Sequence, residues 1–179
     1  MKKPVDPITD PKAAHAKALR MLERRPYPVA ELVRALKRRG VVADLATDLV
    51  ERLRAAGLVN DATYARAFAR SRLVARGSSV RRVQVELARK GLERNLANDA
   101  IAEVRVDEGL DTEDASVERA ARKKLRLLGG LDPLTRARRL TAFLARRGYE
   151  IDAIRSALRR LDREAAAEGD QAGAGRDEQ

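Results

Sequence analysis

Apolar residues recur at spacings of three and four along most of this chain, which is the period of an amphipathic helix. The clearest case precedes Gly40, Gly91 and Gly148, where leucine or valine stands four and eight positions before each glycine. Such positions form one apolar stripe along a helix. Strand-type alternation of Val, Ile, Thr and aromatic residues is hard to find, and the sequence therefore predicts an all-α fold.

A basic pair stands directly before each of these glycines, in the phrases LKRRG, LARKG and LARRG. Cations in a last turn complement the negative end of the helix dipole. Glycine readily adopts the left-handed conformation that commonly follows a helix. Each phrase therefore predicts the end of a helix.

The same helices recur around each phrase. Apolar residues at common offsets after each glycine predict a following helix, with Asp44, Asn95 and Asp152 as its N-caps or first-turn residues. Alanine and leucine at spacings of four predict another helix before each phrase. In the third unit, GGLDP at 129–133 predicts a turn and a new helix start. The predicted units comprise residues 13–58, 61–107 and 112–163, between a disordered N-terminal arm at 1–12 and a disordered acidic tail at 164–179.

Each predicted unit has about 50 residues, a size at which a single hydrophobic core is only marginally stable. We therefore expect neighbouring units to pack on one another. The sequence predicts three tandem, helix-turn-helix-like modules in an elongated, gently curved array.

Four short motifs, in their order along the chain, resemble those of the RecX family, whose members are bacterial regulators of the recombinase RecA. The motifs are LxxR, ELxxxL and RG within 22–40, LVNDxxYAxxF at 58–68, RVxxELxxKGL at 82–92 and FLxxRGY at 143–149. Ser79 stands where the family often has a glycine, which indicates a less tight loop. The resemblance covers residues 13–162.

The resemblance implies tandem three-helix repeats without catalytic activity. It also implies a partner, the filament that RecA forms on DNA. Members of the family bind along the groove of that filament and curb its growth, ATP hydrolysis and strand exchange. We therefore expect a regulator that acts mainly as an inhibitor.

The basic residues are concentrated in two blocks. The chain has 38 Lys and Arg against 27 Asp and Glu, for a formal charge of +11. Residues 66–90 contain eight basic residues and one acidic residue, and residues 119–147 contain ten basic residues and one acidic residue. Residues 163–179, in contrast, contain two basic residues and five acidic residues. Arginine binds phosphates and carboxylates with two parallel hydrogen bonds, so these blocks predict a surface for a polyanion or an acidic partner. The candidate partner- or DNA-binding residues are Arg72, Arg76, Arg81, Arg82, Lys90, Arg138, Arg139, Arg146 and Arg147.

The sequence offers no constellation typical of an enzyme. It has no Cys and one His, His15, which excludes a thiol nucleophile and leaves a zinc site or a catalytic triad without its usual residues. Gly129 and Gly130 lack the Lys-Ser/Thr that completes a phosphate-binding loop. No apolar run approaches a membrane span. We therefore expect a cytoplasmic, monomeric protein without a cofactor.

Two other functions remain open from the residues alone. A helix-turn-helix DNA-binding protein would also combine three-helix units with basic helices. Asn and Gln, the usual readers of adenine, are scarce on these faces, so charge supports at most weak, sequence-independent contact with DNA. The other alternative is a helical-repeat scaffold for a different acidic partner.

Overall fold

The computed structural model describes residues 7–110 and 112–174, and only the backbone of residues 168–174. Within these ranges the chain forms nine α-helices and a five-residue π-helical segment, with no β-strand. The helices are α1 (Pro11–Arg24), α2 (Val29–Lys37), α3 (Ala43–Ala55), α4 (Asp61–Arg70), α5 (Val80–Lys90), α6 (Arg94–Asp107), α7 (Glu113–Leu125), α8 (Pro133–Arg146) and α9 (Ile151–Ala174), and the π-helical segment, Ser71–Ala75, follows α4. The predicted all-α class and the three groups of three helices are confirmed.

The three glycine phrases end helices as predicted. Gly40, Gly91 and Gly148 follow α2, α5 and α8 with φ of +92°, +94° and +88°, which is the left-handed conformation. The residue after each glycine donates its N–H to the carbonyl of the leucine four positions before that glycine. The leucine of each phrase therefore supplies both a core side chain and the acceptor that closes its helix.

The predicted helix starts are also found, and of the two predicted roles the three polar residues have that of first-turn residues. Asp44, Asn95 and Asp152 each lie in the first turn of α3, α6 or α9. Asp132 caps α8, where its carboxylate accepts the N–H of Thr135 at 2.9 Å.

The chain divides into two compact units whose boundaries cross α5 and α6. One unit contains the residues up to Ala69 together with Gln84–Ile101. The other contains Arg70–Val83 together with the residues from Ala102 onwards.

The core of the first unit is built from the stripes that the sequence predicts on α1, α2 and α3. Its fully buried members include Ala14, Ala18, Leu32, Leu36 and Val50. Each is an alanine or branched aliphatic residue, which allows helices to approach closely and to fill the space between them.

The N-terminal arm is more ordered than predicted. The N–H of Ile8 donates to the carbonyl of Gly40 at 2.7 Å, and its side chain packs against the first core. Asp10 caps α1, which begins at Pro11. The prediction of disorder is therefore wrong for residues 7–12, because these contacts fix the backbone, while residues 1–6 lie outside the described residues.

The second unit contains a core formed by α7, α8 and α9. Val117, Ala121, Leu140, Leu144 and Ile154 are fully or almost fully buried in it. The apolar stripes of α7 and α8 match those predicted from the sequence.

The C-terminal helix is longer than predicted. α9 continues to Ala174, so the predicted disorder from residue 164 is wrong for 164–174. Arg122 on α7 lies 2.7 Å from Glu164, and three alanines at 165–167 follow with high helix propensity. Residues 175–179 lie outside the described residues. Within the described part of the chain, no helix has the length and apolar character needed to cross a membrane.

Candidate partner-binding site

Several candidate arginines meet in the second unit, where the start of α5 lies against the end of α8. The guanidinium Nη1 of Arg82 donates to the backbone carbonyl of Arg146. Nη1 of Arg147 donates to the backbone carbonyl of Arg76, just before α5. We call Arg76, Arg82, Arg146 and Arg147 the arginine cluster. The sequence predicts these residues as candidates, and the fold brings them together.

Ser79 holds the two helix ends in contact. Its hydroxyl donates to the carbonyl of Gly148 at 2.8 Å, and its N–H donates to the carbonyl of Arg147 at 2.9 Å. The side chain is buried, with 1% of its surface exposed. Ser79 therefore ties this loop to α8, where the sequence predicts a less tight loop.

The arginine cluster is electrostatically strained. Partial burial lowers the pKa of Arg147, and the neighbouring charges of Arg76 and Arg82 lower it further. The Arg147 guanidinium also lies 4.7 Å from the centre of the Phe143 ring, which attracts a cation. The cluster is thus a place where an added anion would be stabilised by several cations at once.

A cavity of about 270 Å³ adjoins the cluster and shares Arg76 with it. The residues that line it carry no negative charge. The ammonium of Lys123 donates a hydrogen bond to the carbonyl of Ala75 at 3.2 Å. The guanidinium of Arg119 donates a hydrogen bond to the backbone carbonyl of Glu108 at 2.7 Å and forms an ion pair with the carboxylate of Glu108. The lining residues are Leu73, Val74, Arg76, Gly77, Ser116, Arg119, Ala120, Lys123, Arg126 and Phe143.

Three of these cavity cations belong to the predicted basic block at 119–147 but are not among the predicted site residues. Arg119, Lys123 and Arg126 are spaced by four and three along α7 and beyond its end. That spacing places them on one helix face, which is a signal the sequence does carry.

The other candidate residues have different surroundings. Arg81 forms an ion pair with Glu150 at the start of α9. Arg138 and Arg139 are exposed on α8, and neither forms an ion pair within the described ranges. Arg72 is half-buried in the π-helical segment.

Lys90 belongs to the first unit, where it has a structural contact. Its Nζ lies 2.9 Å from a carboxylate oxygen of Glu31 and about 5.5 Å from the centres of the Tyr64 and Phe68 rings. Burial by itself would lower the pKa of Lys90, but the hydrogen bonds and the charges of Glu31 and Tyr64 together outweigh burial and raise the pKa. The sequence predicts Lys90 as a candidate binding residue, and in the structure its side chain also joins α2 to the end of α5.

Arg34 is a structural residue that the sequence does not single out. Its Nη2 donates to the carbonyls of Lys90 at 2.7 Å and Arg89 at 3.3 Å. These carbonyls belong to the last turn of α5, where a helix leaves its acceptors without partners. Arg34 therefore caps α5 from another helix.

Comparison with protein-family models gives three matches in chain order. The models described as the first, second and third three-helix domains of RecX match residues 14–53, 60–101 and 111–158. Together they account for most of the chain and follow its three groups of helices.

Curated relatives and a solved structure agree with these matches. A protein named Regulatory protein RecX from Amycolatopsis mediterranei is 39% identical over 119 residues, covering 66% of each chain. One of the same name from Streptomyces coelicolor is 34% identical over 146 residues, covering 82% of this chain and 74% of its own. The crystal structure of RecX from Lactobacillus salivarius superposes with a TM-score of 0.63 at 19% identity, covering 85% of this chain and 96% of that one, and it supports the fold.

Proposed function

The chain belongs to the RecX family, and from this premise we propose that it is a non-enzymatic, cytoplasmic regulator of the RecA recombinase. In this proposal it binds along the filament of RecA on single-stranded DNA. It curbs extension of the filament, ATP hydrolysis and strand exchange. The matches to three consecutive RecX domains are the observation that carries the proposal.

The basic side chains give the proposal a physical basis. The arginine cluster and the exposed Arg138 and Arg139 offer guanidinium groups to acidic side chains or phosphates. Weak contacts made by successive modules of one chain add through effective concentration, so each contact can be modest.

The experiment measures ATP hydrolysis by RecA on single-stranded DNA while this protein is added at substoichiometric levels. We expect suppression well below one copy per RecA subunit, because one bound regulator acts on a filament end or on several subunits. Absence of suppression by the folded, helical protein would overturn the proposal. Tight binding to one duplex sequence without recombinase would support a helix-turn-helix DNA-binding protein in its place.

A pair of matched variants tests the surface. Arg138→Glu with Arg139→Glu reverses two exposed charges on α8, and Arg20→Glu with Arg24→Glu makes the same charge change on exposed positions of α1. We expect the first variant to lose suppression and the second to retain it. Equal suppression by both variants would show that these positions of α8 are not part of the binding surface.

A further inference from the structure

The end of each glycine phrase is covered by an earlier part of the chain. The carbonyl of Gly40 accepts the N–H of Ile8, which belongs to the segment before α1. The carbonyl of Lys90, directly before Gly91, accepts a hydrogen bond from the side chain of Arg34 on α2 at 2.7 Å. The end of α8 is covered by residues at and just before the start of α5. Helix α2 and the start of α5 therefore each bind the end of a later helix.

The repeat relates these two junctions to each other. Glu31 and Arg82 each stand nine residues before the glycine that follows their own helix. Glu31 pairs with Lys90, directly before Gly91, at 2.9 Å. Arg82 lies against Gly148, where an added Cβ would be 3.0 Å from the Cβ of Arg82. The residue nine positions before one glycine therefore lies against the end of the next phrase.

A neighbouring position makes a second contact in each junction. Arg81, ten residues before Gly91, forms an ion pair with Glu150, which stands two residues after Gly148. On α2 the same position is Ala30, whose side chain lies against Gly91. Position ten thus faces the glycine or the residues that follow it, and position nine faces the residue that precedes it.

The corresponding positions of α8 are exposed. They stand twelve, ten, nine and six residues before Gly148, and each has a counterpart on α2 or at the start of α5 that contacts a helix end. No helix end of the described residues covers them. Helix α8 therefore carries a third copy of a surface that binds a helix end, and this copy is open. We call it the α8 surface, and its residues are Arg136, Arg138, Arg139 and Ala142.

The charges of the α8 surface select its occupant. The end of a helix has carbonyl groups without partners and a partial negative charge, and guanidinium groups can neutralise both. By the two junctions described above, Arg139 would face the residue directly before the glycine, and Arg138 the residue two positions after it. Acidic residues at both places would complement these arginines. The surface therefore fits a helix that ends with an acid, a glycine, an apolar residue and a second acid.

The phrases of the chain itself do not have this pattern. Arg139 would repel the residue before each glycine, because that residue is basic in all three phrases. The buried Ser79 helps to hold the end of α8 against α5, but its counterpart on α8 is Arg136, which is exposed. These charges disfavour a second copy of the chain and favour a different protein. The three basic residues are Arg39, Lys90 and Arg147.

We propose that the α8 surface binds the C-terminal end of an α-helix of a partner protein. The preferred end has the order acid, glycine, apolar residue, acid. This inference rests on the proposed function for its setting, and it names the kind of structural element that α8 recognises. Its test needs no recombinase, so the two proposals can fail separately.

The experiment titrates the isotope-labelled full chain with two lactam-stapled helical peptides and follows its backbone amides by NMR. Both peptides end in leucine, alanine, alanine, X, glycine, leucine, X, where X is glutamate in one and lysine in the other. The staple holds the helix, since isolated short helices are marginal in water. The glutamate peptide should shift the amide signals of Arg139 and Ala142. Its Kd should be about tenfold tighter than that of the lysine peptide, because two attractive charge pairs replace two repulsive ones.

A charge exchange tests the contact directly. Arg138→Glu with Arg139→Glu should bind the lysine peptide more tightly than the glutamate peptide. Unfolding cannot produce such a reversal, because loss of the fold weakens both peptides. Arg20→Glu with Arg24→Glu makes the same charge change at exposed positions of α1 and should keep the preference for glutamate. An unchanged preference in the α8 variant would overturn the site.

A third peptide separates recognition of a helix end from attraction of acids. It has the composition of the glutamate peptide, with the segment glutamate, glycine, leucine, glutamate moved to its N-terminus. We expect no shift of the α8 amides with this peptide, and binding equal to that of the glutamate peptide would overturn the inference.

Sedimentation of the chain at increasing concentration tests the other occupant. We expect a mass that does not depend on concentration. Self-association that the α8 variant loses would identify a second copy of the chain as the occupant and would overturn the assignment to a partner protein.

Discussion

The ammonium of Lys90 lies 2.9 Å from a carboxylate oxygen of Glu31, whose other oxygen lies 2.5 Å from the guanidinium of Arg25. The Glu31 side chain is 17% exposed and that of Lys90 25% exposed. Burial by itself would raise the pKa of Glu31, but the hydrogen bonds and the positive charges of Lys90 and Arg25 together outweigh burial and lower the pKa. This carboxylate therefore stabilises the first unit only while it is ionised.

Glu31→Gln should reduce stability in a pH-dependent way. The pKa of Glu31 in the folded protein is below its ordinary value of 4.5, so its contribution is complete above that pH and is lost as the pH falls through the folded pKa. We expect the variant to lose about 1 kcal/mol of unfolding free energy near neutral pH, because the pair is partly screened by solvent. Urea unfolding near neutral pH and near pH 3 measures the difference.

The control for this prediction is Glu51→Gln. Glu51 pairs with Arg54 at 3.6 Å on α3, and both side chains are more than half exposed. We expect a loss below about 0.5 kcal/mol for this variant. A deficit of Glu31→Gln that persists unchanged at low pH would show that the glutamine harms packing instead.

Gly91 lacks a side chain for two reasons: its backbone is in the left-handed conformation, and Ala30 packs closely against it. Its φ is +94°, and a Cβ added there would lie 2.5 Å from the Cβ of Ala30. Gly91→Ala should therefore destabilise the protein by about 2–4 kcal/mol, the sum of left-handed strain and overpacking. Gly57, with φ of +75° and open space around it, is the matched control, and Gly57→Ala should cost only about 1–2 kcal/mol. Equal losses in urea unfolding would exclude the contact with Ala30.

The helix ends and core stripes could be predicted from the sequence because their causes are local. The left-handed glycines, the stripe of Ala14 and Ala18, and the capping Asp132 each depend on neighbours within one or two turns. The π-helical segment at Ser71–Ala75 has no such signal, since its Leu73 continues the spacing of an α-helical stripe.

The candidate site was predictable in its residue types but not in its arrangement. Charge counting finds the basic block that contains Arg82 and the block that contains Arg147, but only the fold shows that these residues meet at one junction. Charge counting also selects Lys90 as a candidate binding residue. It cannot show that Lys90 pairs with Glu31, because Glu31 stands 59 residues earlier in the chain. Long-range pairing of this kind leaves no mark in local composition.

The buried phenol of Tyr149 makes the stability of the second unit testable at alkaline pH. Its phenol is buried and donates to the carbonyl of Ser116 at 3.1 Å, and burial raises its pKa above the ordinary value of 10.0. The raised pKa means that this group stabilises the fold below pH 10.0, and that its contribution is lost as the pH rises. Tyr149→Phe should cost about 1 kcal/mol near neutral pH and less at high pH. Urea unfolding measures the cost, and ultraviolet titration of the phenols should show a late phase that this variant lacks.

The acidic end of α9 should weaken binding to polyanions. Residues 164–179 contain five acids and one arginine, and Glu164 pairs with Arg122 on α7 at 2.7 Å. Deleting these residues raises the formal charge by four and releases Arg122. We expect a tighter Kd for single-stranded oligothymidylate at low salt, by about threefold or more, because long-range charge effects act within the Debye length.

A second variant separates charge from helix length in this prediction. Replacing the five acids of 164–179 by Gln or Asn keeps the length of α9 and removes the negative charge. It should tighten DNA binding at low salt as the deletion does, and both effects should shrink as salt is raised, since screening removes the long-range contribution. An unaltered DNA affinity of the deletion at low salt would show that the C-terminal segment does not screen the basic blocks. Tightening by the deletion alone would place the effect in the removed helical turns rather than in their charge.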